Sequence, residues 1–284
     1  MTFVNTSFGS DICRFALPVL AEGRADQHVI GSAVMITPGL AMTARHVIDE
    51  CLRVYDGVPP GEPGVTESLN ARFHLRLVQF VDGGKKALIW RGRRVHTSAY
   101  TDIAFVELLK PDGAQSHPSL GMTVEAPRVG DRVFAFGYPR GVINKDDMWS
   151  VTVTLDPRTT SGTVVEVFER GRDRSMMPHP CFHTDAVFDA GMSGGPVFNA
   201  AGRICGIIST STPPDAVASA WASFASLLWP AFATRMFMNR SDRAADDVGY
   251  PALDLVRAGM LHLEGWERIL VEEGDRPTLR LDGR

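Results

Sequence analysis

The sequence predicts an all-β protein built from two β-barrels. Short apolar runs recur between turn signals rich in glycine and proline, and clear helical periodicity is scarce. The strand-rich stretches also fall into two similar halves, which meet at a polar, proline-bearing segment, Pro111 to Pro127. With 284 residues the chain can bury a large core, as one large or two small domains. The predicted units are residues 1–112 and 113–238, one barrel each, and an extension, 239–284. That extension starts where composition turns polar and linker-like, from Asn239 to Asp247.

Taken in order, Val29 to Ile36 is mostly apolar with a Gly-Ser step inside it, Pro38-Gly39 turns the chain, and Leu40 to Thr43 resumes the strand. Val47 to Leu52 reads as one or two helical turns. Phe73 to Val81 alternates, with Phe73, Leu75, Leu77 and Gln79 on one face. Asp82-Gly83-Gly84 is a hairpin signal, and Ala87 to Arg91 is the return strand. Lys85, Lys86, Arg91, Arg93 and Arg94 make this hairpin locally basic, which reads as a solvated face. Ile103 to Leu108 is a short buried strand. In the second half, Val133 to Gly137, Ser150 to Leu155, Gly162 to Phe168, Phe182 to Ala186, Pro196 to Phe198 and Ile204 to Thr210 read as strands. Leu227 to Met238 and Pro251 to Leu263 are predicted helices, the latter amphipathic with Leu255, Met260 and Leu263 near one face. Trp266 to Val271 is a further strand. No internal repeat is visible in the sequence.

Composition narrows the function. Hydrophobic residues at 44% and charged residues at 22% place the chain among ordinary soluble globular proteins. A net charge of −4 does not favour nucleic acid as a partner. The stretch Ala216 to Thr234 is uncharged and long enough to span a bilayer. Its serines and Pro230 fit a buried strand running into a helix better, so no membrane partner is expected. Met1 to Ser10 carries no secretory pattern, and Cys13, Cys51, Cys181 and Cys205 are scattered without a CxxC pair. A reducing, cytoplasmic location fits best, with the cysteines as small buried hydrophobes and no metal or cofactor expected; disulfides or a metal site are the alternative reading.

The chemistry concentrates in Gly191-Met192-Ser193-Gly194-Gly195-Pro196. Glycines let backbone amides converge on one point, because no Cβ blocks the approach. A serine hydroxyl beside two such donors is the minimum apparatus for attacking a carbonyl and holding the oxyanion. Alone, the segment reads equally as a glycine-rich turn. An activated serine also needs a base and an acid that orients it. His46, in Thr43-Ala44-Arg45-His46-Val47 at the end of an apolar strand, is the best base; a structural histidine beside a turn is the alternative. Asp102 opens the strand Ile103-Ala104-Phe105-Val106. A carboxylate there is partly desolvated and needs donors, for which an imidazole N–H is suited. A turn or capping aspartate is the alternative at that position.

Together, in this order, the three segments resemble the trypsin-like (chymotrypsin-fold) serine peptidases. TARHV is similar to the histidine motif TAAHC or TAxHV, TDIAFVEL to DIALL, and GMSGGP to GDSGGP or GNSGGP. The likeness to the HtrA/DegP-type branch extends through Val129-Gly130-Asp131, Phe136 to Pro139, Thr160 to Val164, Thr184-Asp185-Ala186 and Gly202 to Ile207. It covers roughly Val29 to Phe232, and no PDZ domain is recognisable after it. The resemblance implies two six-stranded antiparallel barrels of the chymotrypsin kind. It implies Ser193 as nucleophile, His46 as general base, Asp102 as its orienting acid, and the amides of Gly191 and Ser193 as the oxyanion hole. A protein or peptide is the implied substrate, cleaved through an acyl-enzyme.

Two departures stand out. Zymogen-activated relatives carry an aspartate before the serine, paired with a new N-terminal amine; here that position is Met192, and no IVGG-like start is present. No trypsinogen-style activation is therefore expected, and the turn orders itself or is ordered by a partner or substrate. The resemblance places Val187 at the base of the substrate pocket, with Phe188, Asp189, Ala190 and Met192 nearby and Ser209, Thr210 and Ser211 opposite. A neutral base favours a small or medium apolar side chain, while Asp189 at the rim is the feature that would attract a basic one. The GxSxG pattern also matches an α/β-hydrolase elbow, but that class needs a helix after the serine and the order serine, acid, histidine. Remaining readings are limited proteolysis gated by a regulatory protein or by the tail from Tyr250 to Arg284, general quality control, and an inactive peptidase-shaped binding module.

Overall fold

The computed structural model describes residues 4–22, 27–56, 66–68, 74–114, 117, 119–139, 141–145, 151–212, 222–236, 249–272 and 278–282. Six strands close the first barrel: β1 (Ala16–Glu22), β2 (Gln27–Thr37), β3 (Leu40–Ala44), β4 (His74–Val81), β5 (Lys86–His96) and β6 (Ile103–Leu109). Neighbours run in the order β1-β2-β3-β6-β5-β4, and β4 pairs back to β1. Six more close the second: β7 (Arg132–Gly137), β8 (Arg158–Phe168), β9 (Cys181–Thr184), β10 (Pro196–Phe198), β11 (Ile204–Thr212) and β12 (Ala222–Leu227). Their order is β7-β8-β9-β12-β11-β10, with β10 closing onto β7. All twelve pairings are antiparallel, and the two barrels share one topology. The sequence shows no such repeat, because closure fixes only which positions face inward.

Burial explains how the strands read. Leu75, Leu77 and Gln79 of β4 point inward while Arg76, Val78 and Phe80 are half-buried, matching the predicted alternation. Inside, Gln79 is satisfied: its amide donates to Arg14 O at 2.8 Å and accepts from Trp90 Nε1 at 2.9 Å. In β2, β3 and β6 both faces are buried. Ala33, Met35, Ala41, Ala104 and Val106 fill the first barrel. Val34, Ile36, Leu40, Met42, Ile103 and Phe105 face a second core shared with Ile204 and Ile207 of the other barrel. Strands covered on both sides lose their alternation and read as continuous apolar runs.

Several elements differ from expectation. β1 was not predicted; Pro18 argues against a central strand, yet β1 lies between β2 and β4, with a register shift between Val19 and Leu20. The helix at Val47 is longer than one or two turns: α1 (Arg45–Asp56) runs 12 residues and buries Val47, Ile48, Cys51 and Leu52 along one side. The helix predicted over Leu227 to Met238 is absent among the described residues of that stretch: β12 extends to Leu227, a 3₁₀ turn covers Trp229–Ala233, and Arg235–Met236 is extended. Pro230 suits the first turn of a helix, where its missing N–H costs nothing, but the chain does not continue one.

The second predicted helix is also shorter. α2 (Ala252–Arg257) stops because Gly259 takes φ +70°. Gly259 N donates to Val256 O and Met260 N to Leu255 O, the paired bonds of a Schellman ending. The chain then turns into His262–Glu264, which pairs parallel to Gly121–Thr123. Leu255 and Leu263 are buried as expected, whereas Met260 is exposed. Residues 266–268 form a 3₁₀ turn before the strand Ile269–Glu272. This part of the extension is integral to the fold, since Ala252, Leu253, Leu255, Val256, Leu261, Leu263 and Ile269 all belong to the inter-barrel core. Among the described residues no helix is long and apolar enough to cross a membrane.

Candidate active site

Asp102 and His46 are joined where β6 begins and β3 runs into α1. Main-chain Arg45 N donates to Asp102 O at 2.9 Å, which ties the helix start to the strand start. His46 N, one of the amides that a helix N-terminus leaves without an intrahelical partner, donates to Asp102 Oδ1 at 3.0 Å. The other carboxylate oxygen, Oδ2, lies 2.8 Å from His46 Nδ1. An ionised carboxylate only accepts, so Nδ1 carries the proton and Nε2 is left as the acceptor. Ser209 Oγ donates to the same Oδ2 at 2.5 Å. Asp102 is thus the hub of this arrangement, with its side chain 12% exposed against 47% for His46.

The electrostatics follow from these contacts. Burial alone pushes the Asp102 carboxyl up, but the hydrogen bond and charge of His46, with the Ser209 hydroxyl and the His46 amide, outweigh it and hold the group below the usual range. Burial pulls the His46 imidazole down, yet the hydrogen bond and charge of Asp102, helped by Asp49, leave it raised. Asp49 lies one helical turn from Arg45, whose Nε is 3.2 Å from its carboxylate. Burial, followed by the charge of Asp102, raises Asp49 despite that arginine.

Ser193 is carried by two consecutive type II turns. Met192 N donates to Asp189 O with Gly191 at φ +93°, and Gly195 N donates to Met192 O with Gly194 at φ +87°. Gly194 N is spent on Ile208 O. The amides of Gly191 and Ser193 meet no acceptor among the described residues, and these are the two predicted oxyanion donors. Gly194 is required twice over: its φ is positive, and a Cβ there would overlap Ser32 O and Thr43 Oγ1 of the first barrel. The Ser193 hydroxyl donates to Ser209 O at 3.0 Å. Ser209 therefore touches both parts of the site, Asp102 through its hydroxyl and Ser193 through its carbonyl. Sequence reading placed Ser209 only as a pocket wall, because a serine within a mostly apolar strand carries no signal of its partner.

The other predicted residues divide. Ser211 Oγ donates to Phe188 O at 2.8 Å, so the segment from Val187 to Ala190 does lie against the end of β11. Val187, Asp189, Thr210 and Ser211 are half-buried and Ala190 is exposed. Phe188 and Met192 are not solvent-facing wall residues: at 1% and 0% exposure both pack in the core of the second barrel, with Val133, Phe182 and Val197. Their apolar side chains gain more from that core than from an open pocket. Ser209 and Thr210 do line a cleft of about 360 Å³ beside His46 and Asp102, together with Arg45, Asp49 and His179. Burial lowers the His179 imidazole, which shares a 3.1 Å hydrogen bond with Ser226 Oγ. Among the described residues no three His, Cys, Asp or Glu side chains converge as a metal site requires.

The chain is similar to several solved structures. The crystal structure of Deg5 is 19% identical, with a TM-score of 0.49 over 76% of this chain and 85% of that one. The HtrA-type protease AlgW, in a variant with a tripeptide, is 19% identical, with a TM-score of 0.47 over 76% of this chain and 56% of that one. The protease domain of MamO from Magnetospirillum magneticum is 16% identical, with a TM-score of 0.47 over 76% and 93%. No curated protein matches the chain. The trypsin-like peptidase domain matches residues 31–207, from the strand that touches the Ser193 turn into the strand that carries Ser209, and the chain belongs to that family.

Proposed function

We propose that this chain is a serine endopeptidase that uses His46, Asp102 and Ser193. The observation that supports it best is Ser209, which bonds Asp102 with its hydroxyl and Ser193 with its carbonyl and so gathers residues of both barrels at one point. In the resting arrangement Ser193 Oγ donates to Ser209 O. A bound peptide whose backbone N–H takes Ser209 O releases the hydroxyl, which turns about χ1 toward His46 Nε2. His46 then takes the proton as Oγ bonds to the substrate carbonyl carbon, and the developing oxyanion meets the amides of Gly191 and Ser193. Protonated His46 is stabilised by Asp102 and passes its proton to the leaving amine. Water, deprotonated by the same imidazole, cleaves the acyl-enzyme and restores Ser193.

The reading extends to limited proteolysis of a protein substrate in the cytoplasm, gated by a regulatory protein. All four cysteines are free and buried, which fits a reducing compartment. The parked Ser193 hydroxyl fits control by substrate or partner. The proposed preference at the cleavage site is a small or medium apolar side chain, with Val187 at the pocket base.

The test is hydrolysis of an unfolded protein such as β-casein by wild type and by Ser193→Ala. Expected is cleavage by wild type that the variant lacks, with neo-termini enriched in apolar residues. Cleavage that persists in a folded Ser193→Ala protein overturns the assignment of the nucleophile.

A further inference from the structure

We infer that Ser32 is a positioning residue that holds the oxyanion turn from the opposite barrel. The inference rests on the serine peptidase reading above and adds to it what fixes the geometry of the turn. Met192, beside the nucleophile, is an apolar side chain sealed in the core and offers the turn no ion pair. The constraint comes from β2 instead.

Ser32 is fully buried and makes two bonds to the turn. Its hydroxyl donates to Gly191 O at 2.8 Å, and its main-chain N–H donates to Ser193 O at 2.8 Å. The direction of the hydroxyl is set by a third bond, since Tyr138 N donates to Ser32 Oγ at 2.9 Å and leaves its proton for Gly191 O. The strand approaches closely because Gly31 precedes Ser32; a Cβ at Gly31 would lie 2.9 Å from Ser193 O and 3.0 Å from Val47 Cγ1.

The peptide planes show what this controls. Each peptide is rigid, so fixing its carbonyl fixes its N–H. The Gly191–Met192 peptide is held at both ends, by Ser32 Oγ on its oxygen and by Asp189 O on its nitrogen. The Ser193–Gly194 peptide is likewise held by Ser32 N and Ile208 O. Between them lies the Met192–Ser193 peptide, which presents Ser193 N–H. Immediately before them lies the Ala190–Gly191 peptide, which presents Gly191 N–H. Ser32 therefore anchors the planes that flank the first donor and border the second. Without its hydroxyl, Gly191 O and the buried Tyr138 N–H lose their partner, and the Gly191–Met192 plane is free to rotate and turn the donors apart.

Because Ser32 acts on charge that develops only in the transition state, its loss shows in kcat rather than KM. The experiment uses the full chain as wild type, Ser32→Ala and Ser32→Cys. The cysteine variant conserves side-chain volume and keeps the site packed should the alanine variant fold poorly. Active sites are counted by a fluorophosphonate burst, and kcat and KM for a peptide ester are expressed per counted site. Expected is a fall in kcat of about 10- to 100-fold for Ser32→Ala, by comparison with loss of a full oxyanion donor. A smaller fall is expected for Ser32→Cys, whose thiol is a weaker donor, with KM within about twofold for both. Unchanged kcat per site in both variants, or a loss confined to KM, overturns the role of Ser32 while leaving the peptidase reading intact. Failure of wild type to react with the fluorophosphonate overturns that reading, and this inference with it.

Discussion

At His46 the structure makes a signed prediction about pH. A general base works in its neutral form, so activity falls as pH drops through its pKa, which lies above the ordinary 6.5. Asp49 helps to raise that value, and Arg45 is partly balanced by Asp49. In Asp49→Asn the imidazole loses a nearby negative charge and faces an unbalanced arginine, so the acid limb of kcat/KM moves to lower pH while the plateau is retained. Asp102→Asn shifts the limb in the same direction, and the plateau falls by about 10⁴-fold as the correct tautomer is lost. A pH–rate profile of each variant checks both; a limb that moves to higher pH contradicts the electrostatic account. His46, Asp102 and Ser193 stand out in the sequence because each sits in a run whose residue types suit one task, and the structure joins the first two by a direct hydrogen bond. Ser32 and the Asp102 bond of Ser209 do not stand out, because a buried serine on an apolar strand looks the same whatever its hydroxyl reaches. Phe188 and Met192 were misplaced for the converse reason: their nearness to Ser193 in sequence says nothing about which side of the chain faces the core.

Among the local elements, glycines separate strain from overlap. Gly259 has φ +70° and open space around its α-carbon, so Gly259→Ala costs only the left-handed backbone, about 1 kcal/mol. Gly194 has φ +87° and a Cβ there collides with Ser32 O and Thr43 Oγ1 as well. Gly194→Ala is expected to cost several times more and to disrupt the turn even where the fold survives. Denaturant unfolding of the two variants measures the contrast; equal losses would count against the close approach of β2 to the turn. Strands were mostly legible, as in β4, where alternation in sequence equals alternation in burial. The helices were not. α2 was overextended because Gly259 was not read as its stop, and the stretch after Leu227 was read as helix because apolar composition alone cannot separate a helix from a covered strand and a 3₁₀ turn.

In the whole molecule, the two barrels are fastened by a core that neither owns. Strands β2, β3 and β6 supply one side, β11 a second, and the segment from Ala252 to Ile269 caps it. Leu253, at 1% exposure, lies in that cap, so Leu253→Ala is expected to cost about 2–5 kcal/mol. A denaturation midpoint unchanged by that substitution would show that the extension is not part of the fold. The pairing of two barrels was legible from the halves of the sequence, but their common strand order and the third contribution to the core were not, since both depend on contacts between residues far apart in the chain. The same distance defines the central claim, that His46 and Asp102 of one barrel activate Ser193 of the other. Mapping of the adduct formed with a fluorophosphonate, by mass spectrometry of wild type, His46→Ala and Ser193→Ala, tests it most directly. The account predicts a single adduct on Ser193 in wild type, formed far more slowly in His46→Ala and absent in Ser193→Ala. An adduct on another serine, or labelling of Ser193 at the wild-type rate without His46, would contradict it.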